Sequence, residues 1–158
     1  MARSFLSMLK VGDVAPDFEL ATADGKKFKL SSFKGKKAVV AFFYPADSTP
    51  GCTKEACQFE LDGPKFKKLG AEVVGISSGD KESKQKFISG SKLSMPLLID
   101  AGDKVRSLWG VPKALFGALP GRVTYVIGKD GKVINITDDL ANATKHPAEA
   151  LKALGASA

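Results

Sequence analysis

The sequence predicts an α/β domain: a central mixed sheet flanked by helices, with an N-terminal β-hairpin extension. Three observations point there. Short apolar runs of strand length alternate with amphipathic stretches of helical period. Turn signals recur about every 8 to 15 residues, without repeats, low-complexity tracts or linkers. Finally, 158 residues at 44% hydrophobic are one domain's worth of chain, with apolar material enough for a core that needs no metal or disulfide. The expectation is therefore a single domain over residues 1–158, with 1–10 as a flexible N-terminal segment.

In chain order, residues 18–21 and 27–30 alternate across Ala23-Asp24-Gly25 and predict the hairpin. Residues 38–44 are continuously apolar, as a strand covered on both faces must be. Residues 53–69 read as one amphipathic helix, with Ala56, Phe59, Gly63 and Phe66 near helical spacing and Gly70 as its stop. A second buried strand is expected over 71–77, a helix over 81–88, a third strand over 95–99 and a short helix over 104–108. Residues 123–128 and 132–136 flank Lys129-Asp130-Gly131, a second hairpin signal. A last helix begins near Pro147 and is expected to bury Leu151 and Leu154. Without the first hairpin the order is strand, helix, strand, helix, strand pair, helix, which is the thioredoxin-like layout.

The net charge of +7 and pI near 9.4 invite a nucleic-acid reading. The basic residues are nevertheless scattered singly or in pairs such as Lys36-Lys37, with no block of five and no arginine stripe interleaved with aromatics. A solvated lysine-rich surface is expected, and no nucleic-acid partner. No apolar run approaches a membrane span. Residues 1–10 lack a signal-peptide core, so the expectation is a cytosolic chain or a mature form freed of a transit peptide. Composition does not choose between the two.

The two cysteines, Cys52 and Cys57, stand five apart just after the 38–44 strand. Pro50 and Gly51 stop that strand and helix formers follow, which places Cys52 in the first turn of a helix. Backbone N–H groups there have no intrahelical acceptor and favour a thiolate, a nucleophile. In open α/β sheets, sites gather beyond the carboxyl ends of strands, which is where Cys52 falls. Two cysteines at this spacing are no secreted disulfide framework and suggest intracellular or organellar thiol chemistry. Residues i and i+5 of an intact helix have Cα atoms roughly 8.6 Å apart on nearly opposite faces. A disulfide wants about 4.4 to 6.8 Å, so any Cys52–Cys57 bond requires local unwinding. Cys57 has a second reading, as a residue on the helix's core face.

Zinc usually wants four ligands, and this chain has two cysteines and one distant histidine. That histidine, His146, starts the last helix and is expected to be exposed, so it does not pair with a cysteine. Arg122, opening the strand after Pro120-Gly121, is a fixed cation able to favour a thiolate and orient a polar oxygen; the alternative is a solvated strand end. Thr49 reads as an N-cap whose hydroxyl also reaches a ligand at Cys52. Trp109, Phe116 and the 112–120 loop either wall the site or cap the core.

The run Pro45-x3-Thr49-x2-Cys52, with Arg122 much later, resembles the active-site signature of peroxiredoxins. Cys57 makes it similar to the Q type, also called bacterioferritin comigratory protein. The resemblance extends through Ala15-Pro16-Asp17-Phe18, Phe43-Tyr44-Pro45-Ala46-Asp47, Trp109-Gly110-Val111-Pro112 and Leu115 to Arg122, which look most like plastid forms of plants and algae. Ser48 departs from relatives, which often carry an acidic residue there, and 135–146 is more divergent. The resemblance implies a peroxidase in which Cys52 attacks a hydroperoxide and becomes a sulfenic acid. Thr49, Arg122 and Pro45 would hold the peroxide and shield the thiolate. Cys57 would then close a transient disulfide for an external dithiol, thioredoxin, to reduce. It further implies no cofactor, no metal, a monomer and a plastid location, with the cytoplasm as the alternative. Two rivals remain: a protein disulfide oxidoreductase, weakened by the lack of Cys-x-x-Cys, and a binding or redox-sensing module on the same fold.

Overall fold

The computed structural model describes residues 8–155. In chain order the strands are β1 (Glu19–Ala21), β2 (Lys27–Lys29), β3 (Ala38–Phe43), β4 (Ala71–Ser77), β5 (Leu97–Ile99), β6 (Lys113–Ala114), β7 (Leu119–Pro120), β8 (Val123–Ile127) and β9 (Val133–Asp138). The helices are α1 (Pro50–Leu61), α2 (Gly63–Lys68), α3 (Lys81–Ser91), α4 (Lys104–Leu108) and α5 (Lys145–Ala153).

All six residues of β3 are buried, so this strand sits at the centre. The sheet order is β5-β4-β3-β8-β9. Strands β5, β4 and β3 run parallel, and β8 and β9 pair antiparallel beyond them. Because side chains alternate across a strand, β3 feeds two cores. Val39, Ala41 and Phe43 meet Trp109, Tyr125, Phe18 and Phe28 on one face. Val40, Phe42 and Tyr44 meet Phe59, Phe66 and Phe87 from the helices on the other. The Phe42 and Phe59 rings stack with centroids 4.5 Å apart. Gly75 of β4 makes room for Phe42: a Cβ there would lie 2.7 Å from the ring.

The segment before β3 covers both sheet edges, which are otherwise templates for aggregation. Gly12 donates to Val133 of β9 and Ala15 to Gly131 just before it, and Val133 returns a bond to Asp13. At the other edge Ala23 donates to Leu97 of β5. Of the segment 1–10, expected to be flexible, residues 1–7 lie outside the described residues. Leu9 departs from that expectation, being 3% exposed and donating to the Trp109 carbonyl.

The single helix expected over 53–69 is two helices, broken at Asp62-Gly63-Pro64. Pro64 has no N–H and its ring crowds the preceding turn, so α1 stops and α2 starts with proline in its first turn. In α5 the fully covered residues are His146, Pro147 and Ala150, whereas Leu151 and Leu154 are half-buried. Trp109 is buried in the core, and Phe116 is fully exposed at the tip of the β6–β7 hairpin. That resolves the two readings of this region for Trp109 in favour of the core.

Candidate active site

Proline opens α1 at its first position, where its missing N–H costs nothing, and Cys52 follows at the third. Cys52 is 1% exposed. Thr49 is the N-cap residue in extended conformation, and its carbonyl accepts from Thr53 at 2.8 Å. Its side chain does not cap the helix; the hydroxyl donates to the Ala46 carbonyl at 2.9 Å. That bond orients the hydroxyl and leaves its lone pairs free to accept. Pro45 opens the loop after β3 and is half-buried. Ser48 takes a left-handed φ of 60°, a strained conformation for a residue with a Cβ.

Arg122, at the start of β8, reaches this helix end. It is 4% exposed, and its Nη1 lies 3.5 Å from Cys52 Sγ and 2.8 Å from Glu55 Oε1. Its Nε donates to the Leu140 carbonyl at 3.0 Å. Gly51 permits the approach, since a Cβ there would meet Arg122 Nη2 at 2.8 Å. Burial works against the Arg122 charge, but Glu55 and Cys52 outweigh it and raise the guanidinium above its usual range. The sheet thus places beside Cys52 a cation that sequence spacing could only nominate.

Behind Arg122 lies a second layer. Glu55 is fully buried, and burial pushes its carboxyl up to about 8 against the pull of Arg122. Its Oε2 has no hydrogen-bond partner and sits 3.4 Å from His146 Nδ1. The expectation that His146 is exposed is wrong: its side chain is fully buried at the start of α5, against Thr124 of β8, Glu55 of α1 and Asp139 just after β9. Its Nε2 faces the Asp139 carbonyl at 2.7 Å, which can only accept, so that nitrogen carries a proton. Burial lowers the affinity of the ring for a second one, and Nδ1 then accepts from Thr124 Oγ1 at 2.7 Å. A proton on Glu55 Oε2 would point at that same nitrogen.

The 45–49 loop is anchored from below. Asp47 accepts from the Tyr44 hydroxyl at 2.5 Å, from Ser83 Oγ at 2.7 Å and from Lys84 Nζ at 3.3 Å. Lys84 is fully buried and also donates to Ser77 Oγ at 2.7 Å. Cys57 is half-buried further along α1, and both thiols are free. Of the residues nominated from sequence, Arg122 lies against Cys52, and Thr49 is the N-cap of the same helix with its hydroxyl on Ala46. Sequence reasoning missed Glu55, which three residues after Cys52 shares its helix face. It also missed Asp47 and Lys84, whose pairing spans 37 positions.

The family model described as AhpC/TSA matches residues 11–136. The chain belongs to the AhpC/TSA family. Within it, the relatives are peroxiredoxin Q proteins. Chloroplastic peroxiredoxin Q from rice (japonica) is 52% identical over 143 residues, covering 90% of this chain and 65% of its own. That from Suaeda salsa is 50% identical over 151 residues, covering 96% and 70%. The chain therefore spans about 65% of the length of the rice relative. Among solved structures, a peroxidoxin from Mycobacterium tuberculosis superposes with a TM-score of 0.85 at 38% identity, covering 95% of this chain and 99% of that one. The bacterioferritin comigratory protein of Xanthomonas campestris gives 0.76 at 28% identity, covering 92% and 96%. The thioredoxin-like fold expected of this AhpC/TSA member is thus the one it has.

Proposed function

We propose that this chain is a thiol peroxidase that reduces hydrogen peroxide and organic hydroperoxides. The observation that carries the reading is the buried Cys52 sulfur at a helix start with the Arg122 guanidinium 3.5 Å away. The Cys52 thiolate attacks the terminal oxygen of R–O–O–H; the S–O bond forms as the O–O bond breaks, and the departing RO⁻ takes a proton to leave as alcohol or water. Arg122 and the backbone N–H groups of the first turn hold the two oxygens and take up the charge moving onto the leaving one, while the Thr49 hydroxyl, whose own proton goes to the Ala46 carbonyl, accepts from the O–H of the hydroperoxide. Pro45 keeps bulk water from the sulfur. Cys57 thiolate then attacks the Cys52 sulfenic sulfur, releasing water and forming the disulfide, which a dithiol protein of the thioredoxin type reduces by exchange. Organic hydroperoxides are included because the bacterioferritin comigratory protein of Xanthomonas campestris is described as having alkyl peroxide reduction activity.

On the same reading the chain works as one thioredoxin-like domain and as a monomer, since both thiols lie on α1 and no partner subunit is needed. A plastid location fits the plant relatives, which are named chloroplastic. Among the described residues no helix is long and apolar enough to cross a membrane.

The test is peroxide-dependent NADPH oxidation coupled through thioredoxin reductase and thioredoxin, for wild type, Cys52→Ser and Cys57→Ser. Turnover lost in both variants is expected. Wild type that leaves peroxide untouched and its thiols reduced would move the assignment to a binding or protein-disulfide role.

A further inference from the structure

The β3–β8 ladder ends at the pair Phe43 and Val123. Tyr44 and Arg122, the next residues, are not paired in that ladder: the Tyr44 N–H continues the β3–β4 ladder to Ile76, and the Arg122 side chain reaches Cys52. A buried arginine from α4 fills the place of the missing rung. Arg106 Nη1 donates to the Gly121 carbonyl at 2.8 Å and Nη2 to the Tyr44 carbonyl at 2.9 Å. One rigid, planar fork therefore grips the peptide units immediately before Pro45 and Arg122.

Arg106 is itself held on several sides. Its backbone N–H donates to Asp100 Oδ2 at 3.0 Å, its Nε faces Asp103 Oδ1 at 3.6 Å, and its guanidinium carbon lies 5.6 Å from the Phe43 ring centre. It is 7% exposed. The carbonyl it grips on the β8 side cannot easily shift, because Gly121 is packed so closely that a Cβ would come within 2.0 Å of the Pro112 carbonyl oxygen. None of these contacts is with Cys52, so Arg106 acts through the groups it holds.

We propose that Arg106 is a positioning residue for the peroxide reaction, fixing Pro45 and Arg122 on either side of Cys52 where the sheet no longer does. This rests on the thiol-peroxidase reading above. Lysine at this position keeps the charge but offers one nitrogen in place of the rigid fork whose two nitrogens each hold one carbonyl. Asp103 offers a gentler perturbation: it has a left-handed φ of 55°, which asparagine tolerates, so Asp103→Asn removes the charge facing Arg106 without straining the backbone.

The experiment measures the single-turnover rate constant of reduced Cys52 with hydrogen peroxide against pH, its alkylation rate by neutral iodoacetamide, and the Tm. Wild type, Arg106→Lys, Arg106→Met and Asp103→Asn are compared. The Arg106 variants should lose about 10- to 100-fold in the peroxide rate, the cost of misplacing reacting groups by a fraction of an ångström. Asp103→Asn should lose less, in the same direction. Alkylation at high pH, where every thiol is ionised and Arg122 is not needed, should stay near wild type. A folded Arg106→Lys with a wild-type peroxide rate, or one that lowers Tm and slows both reagents equally, would overturn the proposal. Should both Arg106 variants fail to fold, an Asp103→Asn peroxide rate and pH profile identical to wild type would do the same. Wild type inert to peroxide would sink the peroxidase reading instead, a different outcome.

Discussion

At the scale of single residues, the site depends on one cation held between a sulfur and a buried carboxyl group. Arg122 faces Cys52 Sγ on one side and the Glu55 carboxyl oxygen Oε1 on the other, and it gets there because residue 51 has no side chain. Gly51→Ala should displace the guanidinium and lower the peroxide rate constant by about 10- to 100-fold, with little change in Tm, read by stopped-flow mixing and calorimetry. Glu55 and His146 give a pH signature. Glu55 in the native state holds its proton to about pH 8, well above the 4.5 of the free group, so folding takes up a proton over that interval and stability falls as pH rises through it. His146 is held below 6.5, so its contribution is lost as pH falls below 6.5 and offsets that of Glu55 there. The two together leave a decline in stability between about pH 6.5 and 8, at most about 1.4 kcal/mol per pH unit. Denaturant unfolding should show this slope in wild type and a flat profile in Glu55→Gln; equal slopes would mean that Glu55 is ionised throughout.

At the scale of elements, the proposed thiol cycle asks two incompatible things of α1. Folded, it presents Cys52 and buries Ala56 and Phe59; in that state Cys52 and Cys57 point away from each other. A disulfide between them requires the helix to open, and the sequence makes that inexpensive at its far end. The Asp62-Gly63-Pro64 break separates α1 from α2, so unwinding need not propagate past residue 62. Hydrogen exchange should show protection lost over about residues 53–59 in the oxidised protein, while Phe66 and its neighbours in α2 keep theirs. Unchanged protection in α1 on oxidation would show that Cys57 is not the resolving thiol.

At the scale of the whole molecule, two cores on the faces of one sheet carry stability, and a buried ion pair ties the site to them. Asp47 and Lys84 have side chains 1% and 0% exposed and join the 45–49 loop to α3. Lys84→Met leaves the Asp47 charge without its partner, at a cost of about 3 to 5 kcal/mol, whereas adding Asp47→Asn removes the charge and should recover much of it. Equilibrium unfolding of the two variants measures the difference; equal stabilities would show that the pair is not a coupled unit.

The sequence by itself determined the fold class, the first hairpin, the strands of the five-stranded sheet and the places of the helices, though not the short β6–β7 hairpin or most helix limits, because apolar periodicity, proline and glycine act locally. It also determined that Cys52 lies in the first turn of a helix, for the same reason. The break at Pro64 was legible there too, and amphipathic spacing across it concealed the point. Only the tertiary structure decided that Arg122 meets Cys52 and Glu55, that His146 is buried behind them, that Lys84 pairs with Asp47 and that Arg106 bridges Tyr44 and Gly121. An isolated arginine, lysine or histidine reads as a solvated surface residue. What brings each inside is a partner 15 to 91 positions away, supplied when the sheet order sets those strands and helices side by side.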